Sequence, residues 1–168
     1  DEPTHSLLEA PNAKTITLEF HSLSKTFNMT GWRIGFAVGN AKLISALGKM
    51  KTNIDSGQFI PIQHAAGVAL QKGEAFIQAQ RAHFKSRRKQ LVETLQETGI
   101  EVYPSDTTFY VWAKTPKGQK AMAFCATLLN ECGIVTTPGI GFGADGDGAG
   151  ADTTLFQVCC GALRFVVS

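Results

Sequence analysis

The chain has 168 residues with 43% hydrophobic content, enough to bury a real core in one or two domains. Its 16 lysines and arginines against 14 aspartates and glutamates leave a net charge of +2, too small an excess to point to nucleic acid or an acidic membrane surface. No apolar run approaches the roughly 20 residues that cross a bilayer, and the opening DEPTHSLLEAPNAK has neither the basic nor the apolar part of a secretion signal, so a cytoplasmic setting is expected.

The chain opens at Asp1, and an acidic, proline-containing start reads as a piece of something longer. TITLEF, Thr15 to Phe20, alternates apolar and polar residues as a strand does, and RIGFAV, Arg33 to Val38, reads as a second strand, with a loop between them. Asn40 is placed to cap a helix whose face is Leu43, Ile44, Leu47 and Met50, and Asp55, Ser56 and Gly57 then signal a turn. Pro61 suits a helix first turn, and a long helical region follows to about Thr98, with a break near Gly73 and a stop at Gly99. Ile77, Phe84, Leu91 and Leu95 recur along it at nearly heptad spacing. That pattern suits a helix running between two lobes and equally a short coiled-coil contact.

Beyond Gly99, Val102 marks a strand, and TFYVWAK, Thr108 to Lys114, a stronger one. A helix should then place Ala121, Phe124, Cys125, Leu128 and Leu129 on one face, before a strand in GIVTTPG. Strands separated by helices imply an α/β architecture, and the change of rhythm near Pro61 implies parts of two lobes.

Several tempting motifs carry less than they promise. In GIGFGADGDGAGAD, Gly139 to Asp152, the glycines follow a strand as in a dinucleotide loop, but no amphipathic helix follows to receive an anion. Read as a calcium loop, it puts Phe156 where the bidentate glutamate belongs, so a mobile surface loop is expected. The four cysteines, Cys125, Cys132, Cys159 and Cys160, lack paired C-x-x-C spacing and a nearby histidine, so buried free thiols are expected and no metal site is. The basic run Lys85, Arg87, Arg88, Lys89 shares its helix with an apolar stripe and reads as a solvated face. His21, His64 and His83 fall in unrelated places, in a strand and two helical stretches, with no nucleophile beside them.

FHSLSKTFNMTGWRIGFAVG, Phe20 to Gly39, is different, because one chemistry accounts for all its parts. A lysine amine attacks an aldehyde only when it is partly neutral, which burial or a neighbouring cation favours; Lys25 is the candidate amine and Arg33 the candidate cation. Ser22 and Ser24 offer hydroxyls, Arg33 can grip a phosphate in a bidentate manner, and Gly31 and Gly35 permit close backbone approach. Together these residues describe a site for a phosphorylated aldehyde.

SLSKTFNMTGWRIG resembles the S-x-S-K-x(7)-R-x-G pattern of class I and II aminotransferases, the pyridoxal-phosphate enzymes of fold type I. NIDSGQF, PIQHAA and GIVTTPGIGFG follow in the family's order, closest to its diaminopimelate and aspartate aminotransferase-like branch, and most of residues 1 to 143 follows the pattern. The resemblance implies a fragment of that fold: residues 1–60 as the end of the large cofactor domain, 61–98 as a connecting helical region, and 99–168 as the small domain with an atypical glycine-rich tail. It also implies pyridoxal phosphate as cofactor, Lys25 as the Schiff-base lysine and acid-base catalyst, and Ser22, Ser24 and Arg33 as phosphate ligands. The substrates implied are an amino acid and a 2-oxo acid, exchanged by transamination in a homodimeric full-length enzyme, with Ser56 and Gly57 near a neighbouring subunit's cofactor.

Two departures accompany the resemblance. The family's aspartate partner for the pyridine nitrogen, with the nearby tyrosine and asparagine and the other phosphate loop, lies upstream of Asp1, so activity is expected to be incomplete in these residues alone. AGADTTLFQVCCGA intervenes before LRFVVS, so Arg164, which fits the family's substrate-carboxylate clamp, arrives more than ten residues late. The same lysine loop also serves carbon-sulfur β-elimination, and a truncated domain that only folds or associates is the non-enzymatic alternative.

Overall fold

The computed structural model of the chain describes residues 5–105, 107–142 and 155–159. Asn12 takes the left-handed conformation (φ 62°) and leads into a short 3-10 turn at Ala13–Thr15, where Thr15 Oγ1 donates to the Asn12 carbonyl at 2.6 Å. This turn displaces the start of the expected strand. Strand β1 runs Leu18–Ser22, beginning after Thr15 and ending on the first serine of the lysine loop.

A four-residue helix, α1 (Leu23–Thr26), follows, and after a second 3-10 turn at Thr30–Trp32 comes β2 (Gly35–Gly39). The second strand thus starts after Arg33, whose left-handed backbone cannot continue a ladder. β1 and β2 pair antiparallel, Leu18 opposite Gly39 and Ser22 opposite Gly35. Leu23 N–H then donates to the Ile34 carbonyl at 3.2 Å, which closes the neck of the loop.

Asn40 caps α2 (Ala41–Lys51) as expected, its Oδ1 accepting from Lys42 N at 2.9 Å and Leu43 N at 3.1 Å. Of the anticipated stripe only Ile44 and Leu47 are half-buried, and Leu43 and Met50 are exposed. Helix α3 (Ile60–Lys72) carries Pro61 in its first turn and stops at Gly73. Gly73 is required there, because a Cβ would collide with the Phe27 ring and the Ala69 carbonyl.

Helix α4 (Glu74–Glu97) completes the expected long helical region, and beyond it Ile100 N–H turns back to the Leu95 carbonyl at 2.9 Å. Ile77, Phe84, Leu91 and Leu95 are all half-buried. The chain divides inside this helix into two compact units, one of Pro3–Gln80 and one that takes in Arg81–Ser168.

In the second unit Val102 forms a single bridge to Ala113 rather than a strand. β3 (Tyr110–Lys114), α5 (Ala121–Cys132), β4 (Thr137–Pro138) and β5 (Leu155–Cys159) complete it, with an antiparallel sheet in the order β3-β5-β4. The core is Ala113, Cys125, Phe156 and Val158, with Leu91, Leu95, Ile100, Phe124 and Leu128 packed against it. Leu129, expected on the inner face of α5, is 51% exposed, and Cys132, expected to be buried, is exposed. GIVTTPG contributes only two strand residues, because Gly133 already ends α5 in the left-handed region and Gly139–Phe142 curls into a 3-10 turn. Residues 143–152 of the glycine-rich stretch lie outside the described residues.

No element was expected from the sequence at β5. It lies within the segment that intervenes in the family pattern, and all five of its residues pair with β3, with β5 between β3 and β4. The basic run is corrected: Arg88 is half-buried and its Nη2 donates to the Ser105 carbonyl, so it does not belong to a solvated face.

Candidate functional site

The lysine loop is fastened by its apolar residues. Leu23, 1% exposed, and Met29 form a small core with Ala66 of α3, surrounded by Phe27, Ile34, Ala65 and Ala69. Burying one leucine of this kind contributes about 1.5–3 kcal/mol. Between these anchors the polar residues stay at the surface: Ser22, Lys25 and Arg33 are exposed, and Ser24 is buried. Lys25 is therefore open to solvent within this chain.

Hydrogen bonds tie the two halves of the loop together. Ser22 Oγ accepts from Ser24 N–H at 3.2 Å, which caps α1 and leaves its own O–H to donate elsewhere. Thr30 Oγ1 donates to the Ser24 carbonyl at 3.0 Å, and Arg33 Nη1 donates to the Thr30 carbonyl at 3.1 Å. Arg33 itself is left-handed (φ 52°, ψ 50°), an uncommon state for a residue other than glycine, asparagine or aspartate. Its carbonyl accepts from Gln58 Nε2. Among the described residues Lys25 Nζ has no hydrogen-bond or ion-pair partner.

The register explains the spacing of the motif. Ser22 pairs with Gly35, so the serine-lysine end and the arginine end of the loop meet at one edge of the hairpin. Gly35 is fixed by this contact, because a Cβ there would collide with the His21 carbonyl. At Gly31 a Cβ would meet nothing within 4 Å, so the close approach expected there involves no other part of the chain. No aspartate or glutamate falls between Glu19 and Asp55 in sequence. A guanidinium, an amine and hydroxyls without a carboxylate among them fit a phosphate and an aldehyde, the anionic anchor and the reactive carbon of pyridoxal phosphate.

The turn after α2 is also fixed. Lys51 Nζ donates to both oxygens of Asp55, at 2.6 and 2.7 Å, and Gly57 N–H donates to Asp55 Oδ1 at 2.8 Å. The Lys51 contact first, and the Gly57 N–H second, hold the Asp55 carboxyl below its ordinary range. His21, His64 and His83 lie in β1, α3 and α4, as the sequence places them. Arg164 lies outside the described residues. Thr30 and Gln58 are the members of the arrangement to which motif reading gives no role; Thr30 sits inside the x(7) gap of the pattern, and Gln58 lies in NIDSGQF, 25 residues from Arg33.

Residues 3–163 match the family described as Aminotransferase class I and II. The chain belongs to the class I and II aminotransferases. Members of this family use pyridoxal phosphate. This aminotransferase chain is 51% identical over 147 residues to the LL-diaminopimelate aminotransferase of Aquifex aeolicus and 52% identical over 148 residues to that of Natranaerobius thermophilus, in each case over 88% of the chain and 38% of the relative. It thus spans about 38% of the length of the curated relatives it matches. Among solved structures it resembles an aminotransferase from Staphylococcus aureus, with a TM-score of 0.87 and 34% identity over 98% of this chain and 42% of that one. N-succinyldiaminopimelate aminotransferase from Mycobacterium tuberculosis is matched with a TM-score of 0.82 and 30% identity, over 95% of this chain and 42% of that one. The fold is that of the fold type I aminotransferases, α/β as expected, over part of their length.

Proposed function

We propose that this chain supplies the lysine, hydroxyls and arginine that hold pyridoxal phosphate in an LL-diaminopimelate aminotransferase. The observation that carries the reading is the hairpin register with the hydrogen bonds above it: Ser22 opposite Gly35, and Arg33 tied through Thr30 to Ser24, beside Lys25. The identity to LL-diaminopimelate aminotransferases supports the substrate.

Arg33 would hold the phosphate through the N–H donors that Thr30 does not use, and Ser22 and Ser24 would add their hydroxyl donors. Lys25 Nζ is the covalent anchor. Pyridoxal phosphate, when bound, supplies an aldehyde carbon that accepts the amino group and a ring that takes up the electrons left at the substrate α-carbon. Lys25 Nζ would take the α-proton of the amino acid and return a proton in the reverse half-reaction. An amino acid and a 2-oxo acid are the substrates, and a homodimer in the cytoplasm is the expected form. A carboxylate for the ring nitrogen would come from outside these 168 residues, which span about 38% of the length of the curated relatives, and turnover would need it.

Borohydride reduction of the chain after incubation with pyridoxal phosphate, followed by peptide mass analysis, should place the cofactor on Lys25, and Lys25→Ala should lose both that label and the cofactor's visible absorption. Arg33→Ala should weaken cofactor affinity about tenfold to a hundredfold, the scale of one charged hydrogen bond, and Ser22→Ala by less. A label on any other lysine, unchanged by Lys25→Ala, overturns the reading.

A further inference from the structure

Gln58 joins two elements that the sequence keeps apart. Its side-chain Nε2 donates to the Arg33 carbonyl, while its backbone carbonyl accepts from Gln63 Nε2 of α3 at 2.6 Å. The turn just before it is fixed by Asp55, which holds Gly57 N–H at 2.8 Å and Lys51 Nζ at 2.6 Å. Gln58 therefore projects from a braced segment onto the backbone of one residue, and that residue is the left-handed arginine.

A left-handed conformation is strained for an arginine and persists only when its surroundings hold it. Two side-chain contacts do so here. Arg33 Nη1 reaches back to the Thr30 carbonyl, and Gln58 fixes the Arg33 carbonyl from the other side. Continued through Thr30 Oγ1 to the Ser24 carbonyl, the hydrogen bonds form one line from α3 to the residue before Lys25. The Gln58 contact is thus one of the two that hold Arg33 in the left-handed region, and the one that acts on its backbone.

We propose that Gln58 is a positioning residue for Arg33, holding the guanidinium where it meets the cofactor phosphate. This inference rests on the reading of Arg33 as a phosphate ligand. Neither the S-x-S-K-x(7)-R-x-G pattern nor the spacing within it contains Gln58.

The test compares pyridoxal phosphate with pyridoxal, which lacks the phosphate, in fluorescence titrations of the parent chain, Gln58→Met and Arg33→Ala. Methionine keeps the length of the side chain and removes the donor. Gln58→Met should lower affinity for pyridoxal phosphate about tenfold, the scale of one hydrogen bond, with pyridoxal affinity and the thermal midpoint of the cofactor-free chain unchanged. If Gln58→Met binds pyridoxal phosphate like the parent while Arg33→Ala loses it, the positioning role is wrong and the Arg33 reading stands. Equal losses for both ligands, or a lowered midpoint, mean that Gln58 only supports the fold and likewise overturn the proposal. If the parent does not bind, or Arg33→Ala binds normally, the reading of Arg33 and the inference fail together.

Discussion

Glu19 shows how much a single carboxylate can organise at a strand edge. Ser6 Oγ donates to it at 2.7 Å and Leu8 N–H at 3.2 Å, and His21 Nε2 lies 3.2 Å away, with the His21 ring stacked on Phe36 at 4.9 Å. The Ser6 hydroxyl is the main cause that holds its carboxyl below the ordinary glutamate range, against an opposing effect of burial. A lowered carboxylate pKa means that this contribution to stability is complete above the unfolded value of about 4.3 and is lost as the pH falls through the lower folded value. Thermal midpoints of the parent chain and Glu19→Gln should therefore differ at pH 6 and converge as the pH falls through the folded value; a gap that persists in strong acid would assign the effect to shape rather than charge. At this scale the sequence displays its chemistry openly, since Ser22, Lys25 and Arg33 are recognisable from type and spacing. It hides the role of Gln58, because the motif NIDSGQF that contains this glutamine says nothing of Arg33 until the fold brings the two together.

Among the elements, helix ends were legible and strand ends were not. Asn40, Pro61, Gly73 and Gly99 each mark a boundary, because a cap or a breaker acts on its own few residues. Strand ends depend on a partner: β1 was expected from Thr15 and begins at Leu18 because the turn led by Asn12 occupies the residues before it. Asn40 does more than cap α2, since its Nδ2 also donates to the Thr15 carbonyl at 2.6 Å. Asn40→Ala should cost about 1 kcal/mol or somewhat more, and Asn40→Asp, which retains only the capping oxygen, should recover part of it in urea unfolding.

For the whole molecule, the arrangement of the second unit turns on β5. Phe156, 1% exposed, sits in the core with its ring edge-on to Phe124 at 5.1 Å, and Val158 lies on the same face. Phe156→Ala should destabilise this unit by about 3–5 kcal/mol, measured by urea denaturation, because the sheet closes around that ring. If LFQVC were only an inserted loop, the substitution would change stability by less than about 0.5 kcal/mol, as at ordinary surface positions. The alternation of Phe156 and Val158 is visible in the sequence, but a five-residue run gives no sign that it belongs between β3 and β4.

What the sequence determined by itself was the α/β class, the helix boundaries and the family, because these rest on local preferences and on a motif read within fourteen residues. The tertiary structure alone decided the central place of β5, the inward turn of Arg88 and the contact of Gln58 with Arg33. The physical reason is separation along the chain: a cap or a charge acts on its neighbours, whereas pairing partners and hydrogen bonds across 25 residues exist only after folding has brought them together.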